Sequence, residues 1–274
     1  NPLTLLDAGV YTLVPNTSQD VLFKNFSVRE DMMTVYAMTK LNGEFGGATL
    51  TGNIGVQAVN TTQKSTGYVK LPTTFEKRTL GDSYWDVLPS MNLSLRFDSD
   101  FVIRFSAARE IQRPRLDDMK VSLSYGYNTT EGIIKGSGGN PSLRPYRATA
   151  VDLNFEKYFG GTGGYVAAQF FYKKLHNYIY KANIPFDYTG FPITDPGVPY
   201  PLLGVMEVPF NGTGGEIYGV ELAGTLPMDT IVPALSGFGL TGGVSYTKSA
   251  IQPAPGAPAS DIPGYSRWVA NGTA

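Results

Sequence analysis

The sequence has 274 residues, of which 42% are hydrophobic and 16% charged, and its 22 basic and 23 acidic residues leave a formal net charge of -1. Such a chain offers no polycationic surface to nucleic acid, and without cysteine it has no disulfide, thiolate metal ligand or thiol nucleophile. Its 32 glycines, 19 prolines, 17 tyrosines and 15 phenylalanines favour many strands and turns. We therefore predict one all-β domain with no nucleic-acid partner.

Alternation of apolar and polar residues marks the predicted strands, because successive side chains of a strand point to opposite faces. In chain order, the clearest segments are ATLTGNIGVQAV, MNLSLRFDSDFVIRFSAARE, ATAVDLNFEKYF, EIYGVELAGTL and GFGLTGGVSYT. An earlier segment is less regular, since Tyr36 and Met38 fall on the parity opposite to Met33 and Val35. We predict about nine strands, each reaching the ~9 to 11 residues that a tilted strand needs to cross a bilayer. No apolar run approaches the ~20 residues of a transmembrane helix.

The predicted connections alternate between short and long. Short ones lie at 41–47, 98–100, 160–164 and 227–237, and long ones at 14–23, 65–83, 112–143, 183–213 and 252–263. This asymmetry is typical of outer-membrane barrels, which have short turns at one end and long loops at the other. Alternation alone fits a soluble sandwich or lipocalin-like barrel nearly as well. Aromatic residues predicted near strand ends suit the girdles of a membrane barrel, namely Tyr84, Trp85, Tyr158, Phe159, Tyr165 and Tyr172.

The sequence therefore predicts an all-β fold, an antiparallel up-and-down transmembrane β-barrel segment. Its apolar parity is expected to face outer-membrane lipid. The residues predicted to face lipid are Leu93, Leu95, Ile103, Phe105, Val151, Leu153, Phe155, Leu240 and Val244.

Motifs of catalysis and cofactor binding are weak or absent. Gly237, Gly239 and Gly242 match the G-x-G-x-x-G dinucleotide fingerprint, but strand alternation continues through them where the fingerprint needs a helix to begin. His176 is the single histidine, so no histidine metal cluster can form, and no G-x-S-x-G elbow exists. We predict no enzyme activity, no catalytic residue, no metal and no cofactor.

Candidate ligand contacts lie in the long connection that follows His176. Tyr188, Phe191 and Tyr200 offer flat faces for stacking, and Asp187 and Asp195 offer hydrogen-bond acceptors. Six prolines in this connection restrict the unfolded chain and lower the entropy lost on closure over a ligand. A proline-stiffened connection with no ligand role is the alternative. Acidic acceptors beside aromatic faces favour a neutral polyol over an anionic ferric chelate.

Five segments in order carry a family resemblance: GNIGVQAVNTTQKSTGY, YWDVLPSMNLSLRFDSDFVIRFSAAREIQRPRLDDM, GNPSLRPYRATAVDLNFEKYF, QFFYKKLHNYI and GGEIYGVELAG. Together they resemble consecutive barrel segments of TonB-dependent receptors, especially the subgroup common in Caulobacter and Xanthomonas relatives. The resemblance implies an active outer-membrane transporter of Gram-negative bacteria, a 22-stranded barrel closed by an N-terminal plug and driven by TonB.

The resemblance covers only part of such a receptor. Residues 1–274 are expected to be a partial barrel domain, a fragment with the plug, the TonB box and the final strands absent. Expected partners are a scarce small-molecule nutrient, with an oligosaccharide favoured over a ferric siderophore, TonB acting through the missing plug, and lipid. A passive porin-like or adhesin-like barrel that only binds or admits ligand is the alternative function.

Overall fold

The computed structural model describes residues 9, 19–70, 75–159, 163–191, 193, 197–252, 254 and 256–274. A short helix, α1 (Gln19–Lys24), precedes the first strand, and three short 3-10 helices lie in the connections. The strands are β1 (Phe26–Phe45), β2 (Ala48–Lys70), β3 (Phe75–Phe97), β4 (Phe101–Gln112), β5 (Leu123–Asn128), β6 (Ile133–Gly138), β7 (Tyr146–Phe159), β8 (Gly164–Asp187), β9 (Leu203–Pro227), β10 (Gly239–Ile251) and β11 (Trp268–Thr273).

Nine of these strands form a continuous wall. Their order is β1-β2-β3-β4-β7-β8-β9-β10-β11, and every neighbouring pair is antiparallel. The remaining hairpin, β5–β6, joins the edge of β9. The all-β antiparallel fold and the nine-stranded path are thus confirmed, and the hairpin adds two strands that the sequence did not predict.

Tight turns join the strands at one end of the wall. Gly46 and Gly47 both have positive φ, 61° and 74°, and close a two-residue hairpin between β1 and β2, as two-residue hairpin turns require. Asp100 joins β3 to β4 at φ 59° and donates its N–H to the carbonyl oxygen of Phe97 at 3.1 Å. Aspartate tolerates this left-handed conformation better than most residues. We call this edge the short-turn end.

The strand registers place the apolar residues of the wall on one face, because residues directly opposite one another share a face. One row across the wall is Leu50, Leu95, Ile103, Phe155, Ala168, Leu222, Val244 and Ala270. The next row is Leu93, Phe105, Leu153, Phe170, Val220, Tyr246 and Trp268. We call this side the apolar face and the opposite side the polar face. All nine residues predicted to face lipid lie on the apolar face, and their contact with lipid stays a prediction.

The predicted connection at 65–83 is wrong, because β2 and β3 run through it and stay paired out to Lys70 opposite Phe75. Apolar alternation is missing there, since paired positions such as Thr66 and Thr79 are polar, with hydroxyl oxygens 2.7 Å apart. Threonine nevertheless favours strands, and threonine pairs across strands stabilise them. A search for apolar alternation alone therefore misses such a ladder.

Other predicted boundaries also shift. The stretch at 112–143 contains β5 and β6, and β8 and β9 take both ends of the stretch at 183–213, which leaves 188–202 as the connection. Helix α1 occupies 19–24, and residues 14–18 lie outside the described residues. Tyr84, Trp85 and Tyr172 lie well inside strands rather than at their ends. The G-x-G-x-x-G span runs into β10 instead of a helix.

Candidate ligand-binding surface

A smaller sheet extends the wall at the end opposite the short turns. Strand β6 pairs in parallel with β9, with Lys135–Ser137 opposite Val205–Glu207. On its other edge β9 pairs with β8 as far as Leu203 opposite Asp187. The four strands β5-β6-β9-β8 therefore form one unit, which we call the outer sheet.

The connection between β8 and β9 packs its aromatic side chains against the outer sheet. Tyr188 has no exposed surface, and its hydroxyl donates to the carbonyl oxygen of Val205 at 2.9 Å. Burial raises the pKa of Tyr188 to about 12, and it raises that of Tyr125 on β5 to about 12 as well. Gly136 makes room for the ring, because a Cβ there would lie 2.3 Å from the Tyr188 hydroxyl. The residues of this aromatic cluster are Leu123, Tyr125, Tyr127, Ile134, Ile184, Phe186, Tyr188, Phe191, Ile193, Tyr200, Met206 and Val208.

The predicted ligand contacts take different positions around this cluster. Asp187 ends β8 fully exposed, and its carboxylate accepts hydrogen bonds from the hydroxyl of Thr189 at 2.6 Å and from its N–H at 2.9 Å. These bonds lower the pKa of Asp187, so it stays ionised. Phe191 and Tyr200 are half-buried, whereas Asp195 lies outside the described residues. The structure thus brings Tyr188, Phe191 and Tyr200 together as packing residues and leaves Asp187 at the rim.

The connection between β4 and β7, residues 113–145, lies over the polar face, and we call it the strap. Gln63 of β2, 1% exposed, donates from Nε2 to the carbonyl oxygens of Pro141 at 2.8 Å and Leu143 at 2.7 Å. The Tyr84 hydroxyl donates to Gln63 Oε1 at 3.1 Å. One buried amide therefore holds the strap by two hydrogen bonds, and Tyr84 of β3 holds the amide by a third.

The strap also contacts β9, which lies five strands beyond β2 along the wall. Asn140 Nδ2 donates to the carbonyl oxygen of Pro209 at 3.2 Å, while the next residue, Pro141, is held by Gln63 of β2. A flat sheet would separate β2 from β9 by roughly 24 Å, at ~4.8 Å for each of the intervening steps. Consecutive Cα atoms lie only ~3.8 Å apart, and even with the Gln63 and Asn140 side chains added the link is shorter than this separation, so the wall curves with its polar face inside.

Ionic and side-chain contacts hold the strap at further points. Arg144 forms an ion pair with Asp82 of β3 at 2.6 Å, and its guanidinium lies 4.6 Å from the centre of the Tyr84 ring. Asn211 of β9 accepts from the Arg144 N–H and donates to the Arg144 carbonyl oxygen, both at 2.8 Å. Arg113 pairs with Glu30 of β1 at 3.1 Å. The strap is therefore tied to β1, β2, β3 and β9.

A hydrogen-bonded network lines the polar face nearer the short-turn end. Arg104 donates to Glu156 Oε1 at 2.8 Å, and the same carboxylate accepts from Asn154 at 2.7 Å and from the Tyr158 hydroxyl at 2.7 Å. An open cavity of about 550 Å³ lies beside it. This network is not among the sites predicted from the sequence. Its signal was present, because Arg104, Asn154 and Glu156 all have the parity opposite to the apolar residues.

The described residues contain no group of three metal-ligating side chains. His176 lies within β8, and its Nε2 is 2.8 Å from the hydroxyl oxygen of Thr149. No helix in the described part of the chain combines the length and the apolar character needed to cross a membrane.

A curved antiparallel wall, apolar outside and polar inside, with tight turns at one end and folded connections at the other, defines a segment of an up-and-down β-barrel of the receptor type. The sequence model of the family described as "TonB dependent receptor-like, beta-barrel" matches residues 6–274, and the chain belongs to that family. The comparison with curated proteins finds no match.

Solved structures of a ferric enterobactin receptor and of a siderophore receptor are similar to this chain. The ferric enterobactin receptor PfeA of Pseudomonas aeruginosa in complex with BCV-L6 is 14% identical, with a TM-score of 0.52 over 89% of this chain and 39% of that one. A mutant of PfeA in complex with enterobactin gives 15% identity and a TM-score of 0.52 over the same shares. The siderophore receptor PirA of Acinetobacter baumannii is 10% identical, with a TM-score of 0.49 over 89% of this chain and 40% of that one. The chain thus spans about two fifths of the length of these receptors.

Proposed function

We propose that this chain forms part of the barrel wall of an active outer-membrane transporter, a TonB-dependent receptor of a Gram-negative bacterium. The observation that carries the proposal is the apolar face, in which the row from Leu95 of β3 to Val244 of β10 crosses six strands without a charged residue. A lipid-facing barrel wall requires such a band opposite a polar interior. Residues 1–274 contribute a partial barrel, and a plug and further strands complete it.

The strap favours gated transport over the passive porin. A passive pore needs an open, water-filled lumen, whereas the strap crosses the inner face and is fixed by buried hydrogen bonds of Gln63 and by the Arg144–Asp82 ion pair. Passage through such a barrel requires a driven rearrangement. TonB, acting through the plug, is the partner that we propose supplies it.

An oligosaccharide is the nutrient that the rim chemistry favours. Asp187 stays ionised because Thr189 donates two hydrogen bonds to it. A fixed carboxylate accepts hydrogen bonds from sugar hydroxyls and repels an anionic ferric chelate. The half-buried rings of Phe191 and Tyr200 lie within the same connection and offer partial faces for stacking. This assignment also suits the Caulobacter and Xanthomonas type of receptor.

Uptake by cells that carry the full-length receptor tests the transport proposal. We expect labelled maltooligosaccharide to accumulate only when TonB and the proton-motive force are intact, and labelled ferric enterobactin to stay outside. Accumulation of the ferric siderophore alone would show that the substrate is a ferric siderophore and not an oligosaccharide, and the transport proposal would still hold. Equal entry of either probe in a strain without TonB would instead show a passive barrel.

Rim variants test the binding residues separately. Asp187→Asn and Tyr200→Ala are expected to weaken maltooligosaccharide binding by about tenfold, since each removes about one hydrogen bond to a charged group or one ring face. Leu203→Ala, at the start of β9 opposite Asp187, is the control for a change at an exposed position of the same unit. Tyr188 is left unchanged, because its burial makes any effect structural. Unchanged affinity in both variants would show that Asp187 and Tyr200 do not contact the ligand, and the strap would become the next candidate site.

A further inference from the structure

The turn between β9 and β10, residues 228–238, differs from the other connections at the short-turn end. Those connections read GG at 46–47, DSD at 98–100 and GGTG at 160–163, whereas this turn reads MDTIVPALSGF. Its side chains are not buried within the chain: Ile231 is 60% exposed, Val232 43% and Phe238 68%. Clustered exposed apolar residues usually mark an interaction surface.

Internal hydrogen bonds make this turn compact. Six of its backbone N–H groups donate to carbonyl oxygens of the same turn, at 2.9 to 3.3 Å, among them Met228 to Phe238 and Val232 to Met228. Pro233 has no N–H to satisfy. A segment that contacts lipid must satisfy its backbone internally, because the hydrocarbon offers no partner. The turn satisfies six of its ten N–H groups in this way.

The turn also continues the apolar face. Leu240 lies opposite Leu226 on that face, and Phe238 has the same parity two residues earlier. The bond from the Met228 N–H to the Phe238 carbonyl oxygen, 2.9 Å, extends the pairing beyond Gly239 and Pro227. Asp229 is the single charged residue of the turn. The turn continues the apolar face and offers almost no charged groups that a protein partner could pair with. Both features favour a lipid surface over a folded protein as the partner.

We propose that the β9–β10 turn lies in the membrane, at the boundary between headgroups and acyl chains, with Ile231, Val232 and Phe238 against the acyl chains. The other three connections at this end stay in water. The turn would then fix the depth of β9 and β10, as interfacial apolar segments anchor other proteins. The inference rests on the proposed membrane location of the apolar face.

Fluorescence quenching by brominated lipids tests the depth of the turn. This chain has no cysteine, so a single cysteine can be placed at Ile231 or Val232 and labelled with an environment-sensitive dye, with any cysteine elsewhere in the full-length receptor replaced by serine. Both side chains are exposed, so Ile231→Cys and Val232→Cys leave the packing intact. Leu153→Cys marks the apolar face, and Ser99→Cys in the β3–β4 turn marks water. The receptor is reconstituted in phosphatidylcholine vesicles brominated either near the glycerol or near the chain end.

For an insertion of roughly 5–10 Å, we expect labels at 231 and 232 to be quenched about twofold or more strongly by the shallow bromines than by the deep ones. The label at 153 is expected to respond to the deep bromines and the label at 99 to neither. If 231 and 232 behave like 99 while 153 is quenched, the turn lies in water and the inference is wrong. If 153 is not quenched either, the proposed membrane location itself fails.

Discussion

At the scale of single residues, the outer sheet depends on a few aromatic side chains and on the glycines that accept them. A Cβ on Gly204 would lie 2.1 Å from the carbonyl oxygen of Ile134 and 3.0 Å from the Tyr188 ring, so no larger residue fits without a shift. The ring of Tyr188 in turn packs 4.9 Å from Phe186 and 5.5 Å from Phe191. The Tyr188 ring, which the sequence offers as a stacking face, is therefore taken up by edge-to-face packing against Phe186 and Phe191.

The buried tyrosines predict alkaline sensitivity of the outer sheet. Burial raises the pKa of Tyr125 and Tyr188 from 10.0 to about 12. Unfolding then releases protons between these values, so the stability contributed by the neutral phenols is complete below pH ~10 and is lost as the pH rises toward 12. Near-ultraviolet circular dichroism of the receptor between pH 9 and 12, together with tyrosinate absorbance, measures this loss.

Replacing the two phenols provides the control for that titration. The double variant Tyr125→Phe and Tyr188→Phe keeps the rings and removes both ionisations, at the cost of the bond to the Val205 carbonyl oxygen. We expect its dichroism to depend less on pH between 10 and 12 than that of the unaltered receptor. Identical alkaline transitions in the two proteins would show that these phenols do not control the loss.

At the scale of elements, Gln63 holds the strap to the wall. Removing the Gln63 side chain is expected to release the strap. Gln63→Ala leaves the buried carbonyl oxygens of Pro141 and Leu143 and the Tyr84 hydroxyl without their partner. Each unsatisfied buried group costs about 1–3 kcal/mol. Faster hydrogen exchange in residues 113–145 is the expected result. Gln57→Ala is the matched control, because Gln57 lies on the same face of β2 and is exposed. Equal hydrogen exchange in the two variants would show that the Gln63 amide does not hold the strap.

The elements also show which features the sequence could predict. Strands with a lipid-type apolar face, such as β4 and β7, were predicted closely because Ile103, Phe105, Leu153 and Phe155 alternate strictly. The hairpin β5–β6 was not predicted from the sequence. Its residues pack against the β8–β9 connection, and its pairing with β9 joins Lys135 to Val205, about seventy residues apart. Local periodicity carries no information on such pairings. The packing role of Tyr188 was unpredictable for the same reason.

At the scale of the whole molecule, the proposed membrane location predicts that the two faces of the wall differ in their tolerance of an added charge. Leu93 lies on the apolar face four residues from the end of β3, opposite Gly52, and Thr51 is exposed on the polar face at the same level. Arginine at a lipid-facing position near the middle of a bilayer costs about 2–4 kcal/mol, whereas arginine toward a lumen is tolerated. Leu93→Arg should therefore lower the free energy of unfolding by that amount, and Thr51→Arg should leave it nearly unchanged.

Urea titration of the full-length receptor, folded into phosphatidylcholine vesicles, measures both variants against the unaltered protein. Thr51 serves as the control because its side chain is exposed on the polar face and makes no hydrogen bond to Glu156 or Arg104 that arginine would replace. Asn154 is a poorer control, since its amide is bonded to Glu156 and arginine there would crowd Arg104. Equal destabilisation by Leu93→Arg and Thr51→Arg would mean that the two faces meet similar surroundings, and the assignment of the apolar face to lipid would then be wrong.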